Sequence, residues 1–159
     1  IETLLRISDE FGFKPILVGG HEAYAVVDAL SDADVSVVYT AVDPSAVGAE
    51  GSELFWATPL RLREADIPIC LAGDGLLDRM RLAVRFGLTP EQAMAGVTVD
   101  AAEILGVADR VGKIAVGRDA DLLGFSGPPT EITSALEWVM VNGERVATPS
   151  SAREPADES

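Results

Sequence analysis

The sequence predicts an α/β fold in which three short parallel strands alternate with helices, followed by a small all-β segment. One observation is a unit of helix, Gly- or Asp-containing turn and short apolar strand, which occurs three times. Another is that segments 12–20 and 66–74 are alike: each is an apolar run with a proline near its start and small residues at its end. Strands that alternate with helices are typical of parallel βαβ crossovers, which either close into a barrel or lie in an open sheet.

The elements of this α/β part follow from apolar spacing and from the positions of glycine and proline. Leu4, Leu5 and Phe11 form a helical stripe that Gly12 ends. Short apolar runs that end in small residues predict buried strands. In chain order the pattern predicts helix 4–11, strand 14–18, helix 21–30, strand 35–39, an irregular loop over 41–56, helix 59–65, strand 67–72 and helix 76–86.

Two short helices are predicted next. Thr89 is a good N-cap, Pro90 suits the first helical position, and Gln92 stands where a capping box requires it, so a helix is expected over 90–95. Thr98 is expected to cap the second helix, and Gly106 to end it in the left-handed conformation.

The last third of the chain is predicted to be mainly β. Residues 113–116 are expected to form a strand between two glycines, and residues 121–125 a second strand. Segment 138–146 contains Asn142-Gly143, the strongest short-range hairpin signal. The polar tail, 148–159, is expected to be disordered.

Composition limits the class of protein. The 159 residues are 48% apolar and 24% charged, as in globular proteins, but a complete (β/α)8 barrel needs about 250 residues. Twenty-six acidic against 12 basic residues give a net charge of −14, which argues against binding to nucleic acid or to anionic membranes. The one cysteine, Cys70, excludes an internal disulfide and is expected to be a small core residue.

The segment from residue 86 onwards closely resembles the C-terminal signature of the amidohydrolase superfamily, metal-dependent hydrolases that include imidazolonepropionases, dihydroorotases and prolidase-like enzymes. In this signature a Gly-Leu-Thr-Pro-Glu-Gln-Ala segment, a helix, a turn and a Val-Asn-Gly hairpin follow one another. The matching positions here are Thr98, Ala101, Ala102, 104–106, Val111, Gly112, Ile114, Gly117, 119–122 and 139–146.

The resemblance implies a partial (β/α)8 TIM-type barrel, about its last three βα units, with a small C-terminal β-sandwich appendage. Residues 1–110 would supply the sixth, seventh and eighth strands, and residues 111–147 the appendage, before the tail over 148–159. The first strands of the barrel, with the His-x-His pair that normally holds metal in this family, are absent from the chain.

For function, the resemblance implies the C-terminal portion of a hydrolase of C–N bonds in cyclic amides or similar small molecules. A divalent metal, zinc in particular, would serve the parent protein, and this portion alone would be inactive. Its partner would be the missing N-terminal half of the barrel or a second copy, and its location the cytoplasm by default. The alternatives are a non-catalytic, metal-deficient relative that binds or scaffolds, and a stand-alone α/β interaction domain.

Asp74 is the leading candidate for a catalytic residue. It directly follows the third apolar run, at the end of the strands where barrel enzymes build their active sites. By resemblance it stands at the position of the last-strand aspartate, which binds metal and takes a proton from the attacking water. The alternative is a turn residue that caps the next helix, since Gly73 and Gly75 flank it.

His21, the one histidine, is the candidate for binding substrate or metal. Active members of the superfamily place a strand-six histidine about where Gly19 stands, so His21 is offset by two residues. The alternative is a polar residue that caps the following helix. Because even an open catalytic zinc site takes about three protein ligands, Asp74 and His21 are too few by themselves.

The remaining candidates have simpler interpretations. Arg79, Arg81 and Arg85 are expected to form the solvated face of their helix. Phe55 and Trp56 are expected in a loop over the mouth of the site, where they would contact substrate or pack the loop down.

Overall fold

The computed structural model describes residues 1–40 and 49–147, with the backbone alone for residues 49–54 and 147. A short 3-10 turn spans Ala23–Ala25. None of the described helices is long and apolar enough to cross a membrane. The helices are α1 (Glu2–Phe11), α2 (Val27–Asp32), α3 (Ala49–Glu64), α4 (Leu76–Arg85), α5 (Pro90–Val97) and α6 (Val99–Ile104), and the strands are β1 (Ile16–Gly19), β2 (Ser36–Thr40), β3 (Ile69–Ala72), β4 (Leu122–Phe125), β5 (Leu136–Val141) and β6 (Glu144–Ala147).

Strands β1, β2 and β3 form a parallel sheet in that order, which confirms the predicted βαβ crossovers. Val18 of β1 is paired with Val38 of β2, and Val38 with Cys70 of β3. Two prolines directly precede the outer strands. Their carbonyl groups accept bonds from β2, Pro15 from Ser36 and Pro68 from Val37, so neither missing N–H interrupts the ladder.

The two faces of this sheet differ in what covers them. Val37, Tyr39, Ile69 and Leu71 share one face and pack with the helices in the hydrophobic core. On the opposite face of β1, Val18 is 68% exposed. In a (β/α)8 barrel the helices lie outside, so the open face corresponds to the barrel interior. Within the described ranges the sheet is open, as expected of part of an amidohydrolase barrel.

Helix α3 replaces the loop predicted over 41–56. It begins at Ala49 and continues through Pro59 to Glu64, so the predicted helix over 59–65 is only its end. The sequence interpretation took Pro59 as a helix start, whereas a proline inside a helix is tolerated where packing compensates for the lost bond. Phe55 supplies part of that packing, being 1% exposed. Residues 41–48 of the predicted loop lie outside the described residues.

Helices α4 to α6 largely follow the prediction. Thr89 and Gln92 form the reciprocal capping box: the Gln92 amide donates to Thr89 Oγ1 at 3.2 Å and the Thr89 amide donates to Gln92 Oε1 at 2.9 Å. Thr98 is the N-cap residue of α6, as predicted, but its side chain makes no capping bond, because its hydroxyl donates to the Met94 carbonyl of the preceding helix at 2.6 Å. Gly106 does adopt the left-handed conformation, with φ +69°.

Strands β4, β5 and β6 form a separate antiparallel sheet. Its β5–β6 hairpin turns at Asn142 and Gly143, which both have positive φ, as the Asn-Gly signal predicted. The strand predicted over 113–116 is not formed, and Ile114 is 87% exposed there. Residues 113–116 pair with no strand in the part of the chain that the structure describes. Because that part holds a single antiparallel sheet, the predicted β-sandwich is not confirmed.

Arg81 connects α4 to the loop between β4 and β5. Its Nε donates to the Pro129 carbonyl at 3.1 Å, and an Nη atom donates to the Ser134 carbonyl at 3.3 Å. The expectation that Arg81 merely faces solvent is therefore wrong. A domain boundary near residue 110 stays a prediction, but Arg81 shows that the parallel sheet's helices and the C-terminal β segment are in contact.

Candidate active site at the carboxyl ends of the parallel strands

Asp74 lies two residues beyond β3, between two glycines with positive φ, Gly73 at +109° and Gly75 at +64°. Strand β3 ends at Ala72, and Gly73, with its positive φ, interrupts the regular alternation of side chains before Asp74. Asp74 is exposed and is absent from the ion pairs seen among the described residues. The last parallel strand is therefore followed, at its carboxyl end, by an exposed carboxylate.

Arg79 packs against the same turn from the helix-covered side of the sheet. Its Nε donates to the backbone carbonyl of Asp74 at 2.6 Å. A Cβ atom added to Gly73 would lie 3.2–3.3 Å from Nε, Cζ and one Nη atom of this guanidinium. The position of the guanidinium shows that a side chain at position 73 would point to the helix side. The sequence pattern predicts that Arg79 is part of a solvated helix face, whereas the structure shows that it also contacts this turn.

His21 lies on the helix-covered side of the sheet. Its ring stacks on Phe55 of α3 at 5.8 Å with an interplanar angle of 15°, and it is 6.4 Å from the ring of Tyr39. The imidazole fills the space next to Gly19, since a Cβ there would be 3.4 Å from Cε1. Its Nε2 atom is buried and has no hydrogen-bond partner among the described residues. Phe55, which was predicted to lie in a loop over the site, instead supports His21 from inside a helix.

Tyr39 completes this cluster behind the strand ends. Its hydroxyl donates to the Phe55 carbonyl at 2.6 Å. Burial raises the pKa of the phenol far above its usual value, while a hydrogen bond with Thr58 and the charge of Arg79 act in the opposite direction. A phenol that stays protonated and is committed to a backbone carbonyl has a structural role, so Tyr39 is not a candidate acid or base.

Asp74 and His21 are therefore not brought together as one site. They follow the two outer strands of the sheet, with β2 between them, and the His21 ring stacks on Phe55 of α3. Among the described residues no group of three His, Cys, Asp or Glu side chains could hold a metal ion. The residues present do not fit a complete zinc site, which needs about three protein ligands.

The similarity of the first and third units also shows what is missing. If segments 12–20 and 66–74 are superposed in sequence, Gly20 takes the position of Asp74. Gly20 is buried with φ +64°, and a Cβ there would be 2.9 Å from Val37 Cγ1. The first parallel strand thus ends without a side chain where the third ends in a carboxylate.

Two further groups have structural roles. Cys70 is buried in β3 as predicted, and burial, followed by the charge of Asp100, raises the pKa of its thiol. Arg63 of α3 forms an ion pair with Asp100 of α6, which sequence reasoning did not identify. That pair joins elements 37 residues apart, so no local spacing could have indicated it.

Comparison with known proteins agrees with this architecture. Residues 12–148 match the model of the amidohydrolase family. An amidohydrolase of Thermotoga maritima superposes with a TM-score of 0.79 at 31% identity, over 92% of this chain and 40% of that one. A zinc-bound adenosine deaminase of Xanthomonas campestris has a TM-score of 0.61 at 21% identity, over 82% of this chain and 36% of the other, and shows the fold alone.

Curated relatives give the same family. An imidazolonepropionase of Shewanella frigidimarina is 35% identical over 104 residues, which is 55% of this chain and 25% of that protein. Adenine deaminase 2 of Agrobacterium fabrum is 49% identical over 55 residues, 35% of this chain and 9% of the other. The chain spans about a quarter of the imidazolonepropionase, so the substrates of these enzymes do not transfer to it. The match over most of its length shows that the chain belongs to the amidohydrolase family.

Proposed function

We propose that this chain is the C-terminal portion of a metal-dependent amidohydrolase that cleaves C–N bonds in cyclic amides or related small molecules. The single observation that carries the proposal is Asp74: an exposed carboxylate at the carboxyl end of the last parallel strand. Active sites of barrel enzymes are built at that end. Membership of the amidohydrolase family supports the reaction class.

The role proposed for Asp74 is to accept a proton from the water that attacks the substrate carbon. An ionised carboxylate within hydrogen-bond reach of a water can act as a general base. A divalent metal such as zinc would make such a water more acidic. The described residues supply one suitable ligand, so the others would have to come from the rest of the parent protein.

His21 stays a proposed substrate or metal contact, but its present position does not favour it. To reach the open face, the imidazole would have to leave its stack on Phe55. Replacing it with asparagine in the full-length protein separates the two roles. Loss of bound zinc would support a ligand role, and unchanged zinc with reduced stability would support packing.

The partner proposed for this chain is the remaining part of the barrel. Strands β1 and β3 each have one unpaired edge within the described sheet, and Val18 of β1 is 68% exposed. Open edges and exposed apolar faces favour association. We therefore propose that the chain alone is inactive and associates with the missing half or with itself. Location in the cytoplasm remains a prediction of the same kind.

The alternative is a metal-deficient relative that binds or scaffolds without catalysis. Gly20 favours it, because the first strand carries no side chain at the position equivalent to Asp74. The one-sided sheet, in contrast, argues against a stand-alone interaction domain, which would need to cover that face itself.

The test uses the full-length protein with and without Asp74→Asn. We expect stoichiometric zinc by elemental analysis, hydrolysis of members of a cyclic-amide panel, and loss of that hydrolysis on chelation or in Asp74→Asn. Asp9→Asn, in exposed helix α1, is the matched control and should keep full activity. Absence of both zinc and turnover in the wild type would favour the non-catalytic alternative.

A further inference from the structure

We infer that Arg79 is a positioning residue for Asp74, holding the turn after β3 that carries this carboxylate. The inference rests on the proposed role of Asp74. Arg79 lies on α4, donates to the backbone of the turn and lines a small space on the helix-covered side.

The contact geometry makes Arg79 the support of this turn. Helical side chains lean toward the N-terminus of their helix, and Arg79, three residues after the start of α4, extends back over Gly73. Its bond to the Asp74 carbonyl is charge-assisted, the stronger kind of hydrogen bond. The guanidinium packs closely against Gly73, so a Cβ atom there would require it to shift. Both contacts fix the same three-residue turn.

The turn needs such a support because its two glycines are flexible. Gly73 and Gly75 have positive φ values that other residues rarely adopt, and glycine has more freedom to lose than any other residue. The N-cap residue of α4 is Gly75, which has no side chain to cap the helix. Without Arg79, the residues on both sides of Asp74 could rotate and carry the carboxylate with them.

Arg79 acts from the far side of the sheet and not on the open face. It lines a small space together with Tyr39, Trp56 and Leu71, which belong to the helix-covered side. Because its hydrogen bond goes to the backbone carbonyl of Asp74, its effect on the carboxylate passes through the backbone.

Hydrogen exchange of the full-length protein, read by mass spectrometry on peptides covering 70–78, tests the positioning itself. Arg79→Met should raise exchange at residues 73–76 about tenfold, and Arg79→Lys, which keeps a donor and a charge, should restore part of the protection. Arg85→Met, at the exposed end of α4, is the matched control and should leave these peptides unchanged. Unchanged exchange in Arg79→Met, or the same rise in Arg85→Met, would overturn the inference.

Zinc titration then separates this inference from the proposed function. In the wild-type background Arg79→Met should weaken zinc binding about tenfold, the scale on which residues that support metal ligands act. In an Asp74→Ala background the same change should have no further effect, because Arg79 acts through Asp74. Equal effects in both backgrounds would contradict positioning. A wild type that binds no zinc would reject the proposed metal function, and hydrogen exchange alone would then decide the role of Arg79.

Discussion

The hydroxyl of Tyr39 in β2 donates a 2.6 Å hydrogen bond to the backbone carbonyl of Phe55 in α3. The Phe55 ring also stacks on His21. The bond and the stack together connect the central strand, helix α3 and the turn after β1. Both partners are buried, Phe55 almost completely. The stability of the helix-side cluster should therefore depend on one phenol.

Replacing Tyr39 by phenylalanine should lower the free energy of unfolding by about 1–3 kcal/mol, the cost of leaving a buried acceptor unsatisfied. Urea unfolding followed by circular dichroism measures this change. Tyr24→Phe, in the half-buried 3-10 turn, is the control and should change the free energy by much less. Equal losses in the two variants would show that the Phe55 carbonyl does not depend on Tyr39.

The same phenol should make stability depend on pH in the alkaline range. Burial raises the pKa of Tyr39 in the folded state above the value of about 10 expected in the unfolded chain. Below pH 10 both states keep the proton, so the contribution is constant. Above it, the unfolded state loses the proton first and is stabilised relative to the folded state, so the free energy of unfolding falls as pH rises, by up to about 1.4 kcal/mol per pH unit.

Comparison of the wild type with Tyr39→Phe separates the contribution of Tyr39 to the pH dependence of stability from that of other titrating groups, such as the Cys70 thiol. Unfolding free energies measured between pH 9 and 11.5 should decline more steeply in the wild type. Parallel pH profiles would mean that Tyr39 titrates alike in the folded and unfolded states.

The open face of the sheet should control association of the 159-residue chain. Val18→Lys places a charge on the exposed face of β1 and should shift sedimentation velocity profiles toward monomer. Ile132→Lys, in the exposed loop between β4 and β5, is the control for added charge and should leave association unchanged.

In the full-length protein the same Val18→Lys change should instead lower the melting temperature, because the side chain would face a packed barrel interior. No loss of stability in the full-length protein would contradict the assignment of this face.

Gly124 of β4 is expected to tolerate no side chain, because Trp138 of β5 lies directly over it. A Cβ atom at position 124 would be 2.0 Å from Trp138 Cε2, and overpacking of this kind costs about 1–3 kcal/mol. Gly124→Ala should lower the melting temperature and change tryptophan fluorescence. Gly127→Ala is the matched control, since its Cβ would meet Ser134 Oγ at an ordinary 3.6 Å. Similar behaviour of the two variants would show that β4 adjusts freely.

Local signals predicted the parts of the fold that depend on neighbouring residues. The capping box of Thr89 and Gln92 and the turn at Asn142 and Gly143 form as expected, because each is complete within four residues. The errors arose where a distant partner decides. Helix α3 continues through Pro59 because Phe55 is buried against the sheet, and residues 113–116 form no strand because they have no partner within the described chain.

The candidate site divides in the same way. Position 74 at the end of a strand was readable from the pattern, since an apolar run followed by small residues marks where a strand stops. Arg79 was taken for a surface residue because its partner is a backbone carbonyl, which leaves no trace in side-chain spacing. The position of His21 depends on the stack with Phe55, which is 34 residues away in the chain.

By itself, the sequence determined the alternation of strands and helices, the hairpin, the family resemblance and the carboxylate that follows the third strand, because these are properties of short segments. Only the tertiary structure decided which side of the sheet the helices cover, that His21 stacks on Phe55 on that side, and that Arg79 donates to the backbone carbonyl of Asp74. Faces and contacts of this kind arise when elements far apart in the chain pack together, and the free energy of that packing, not local propensity, selects them.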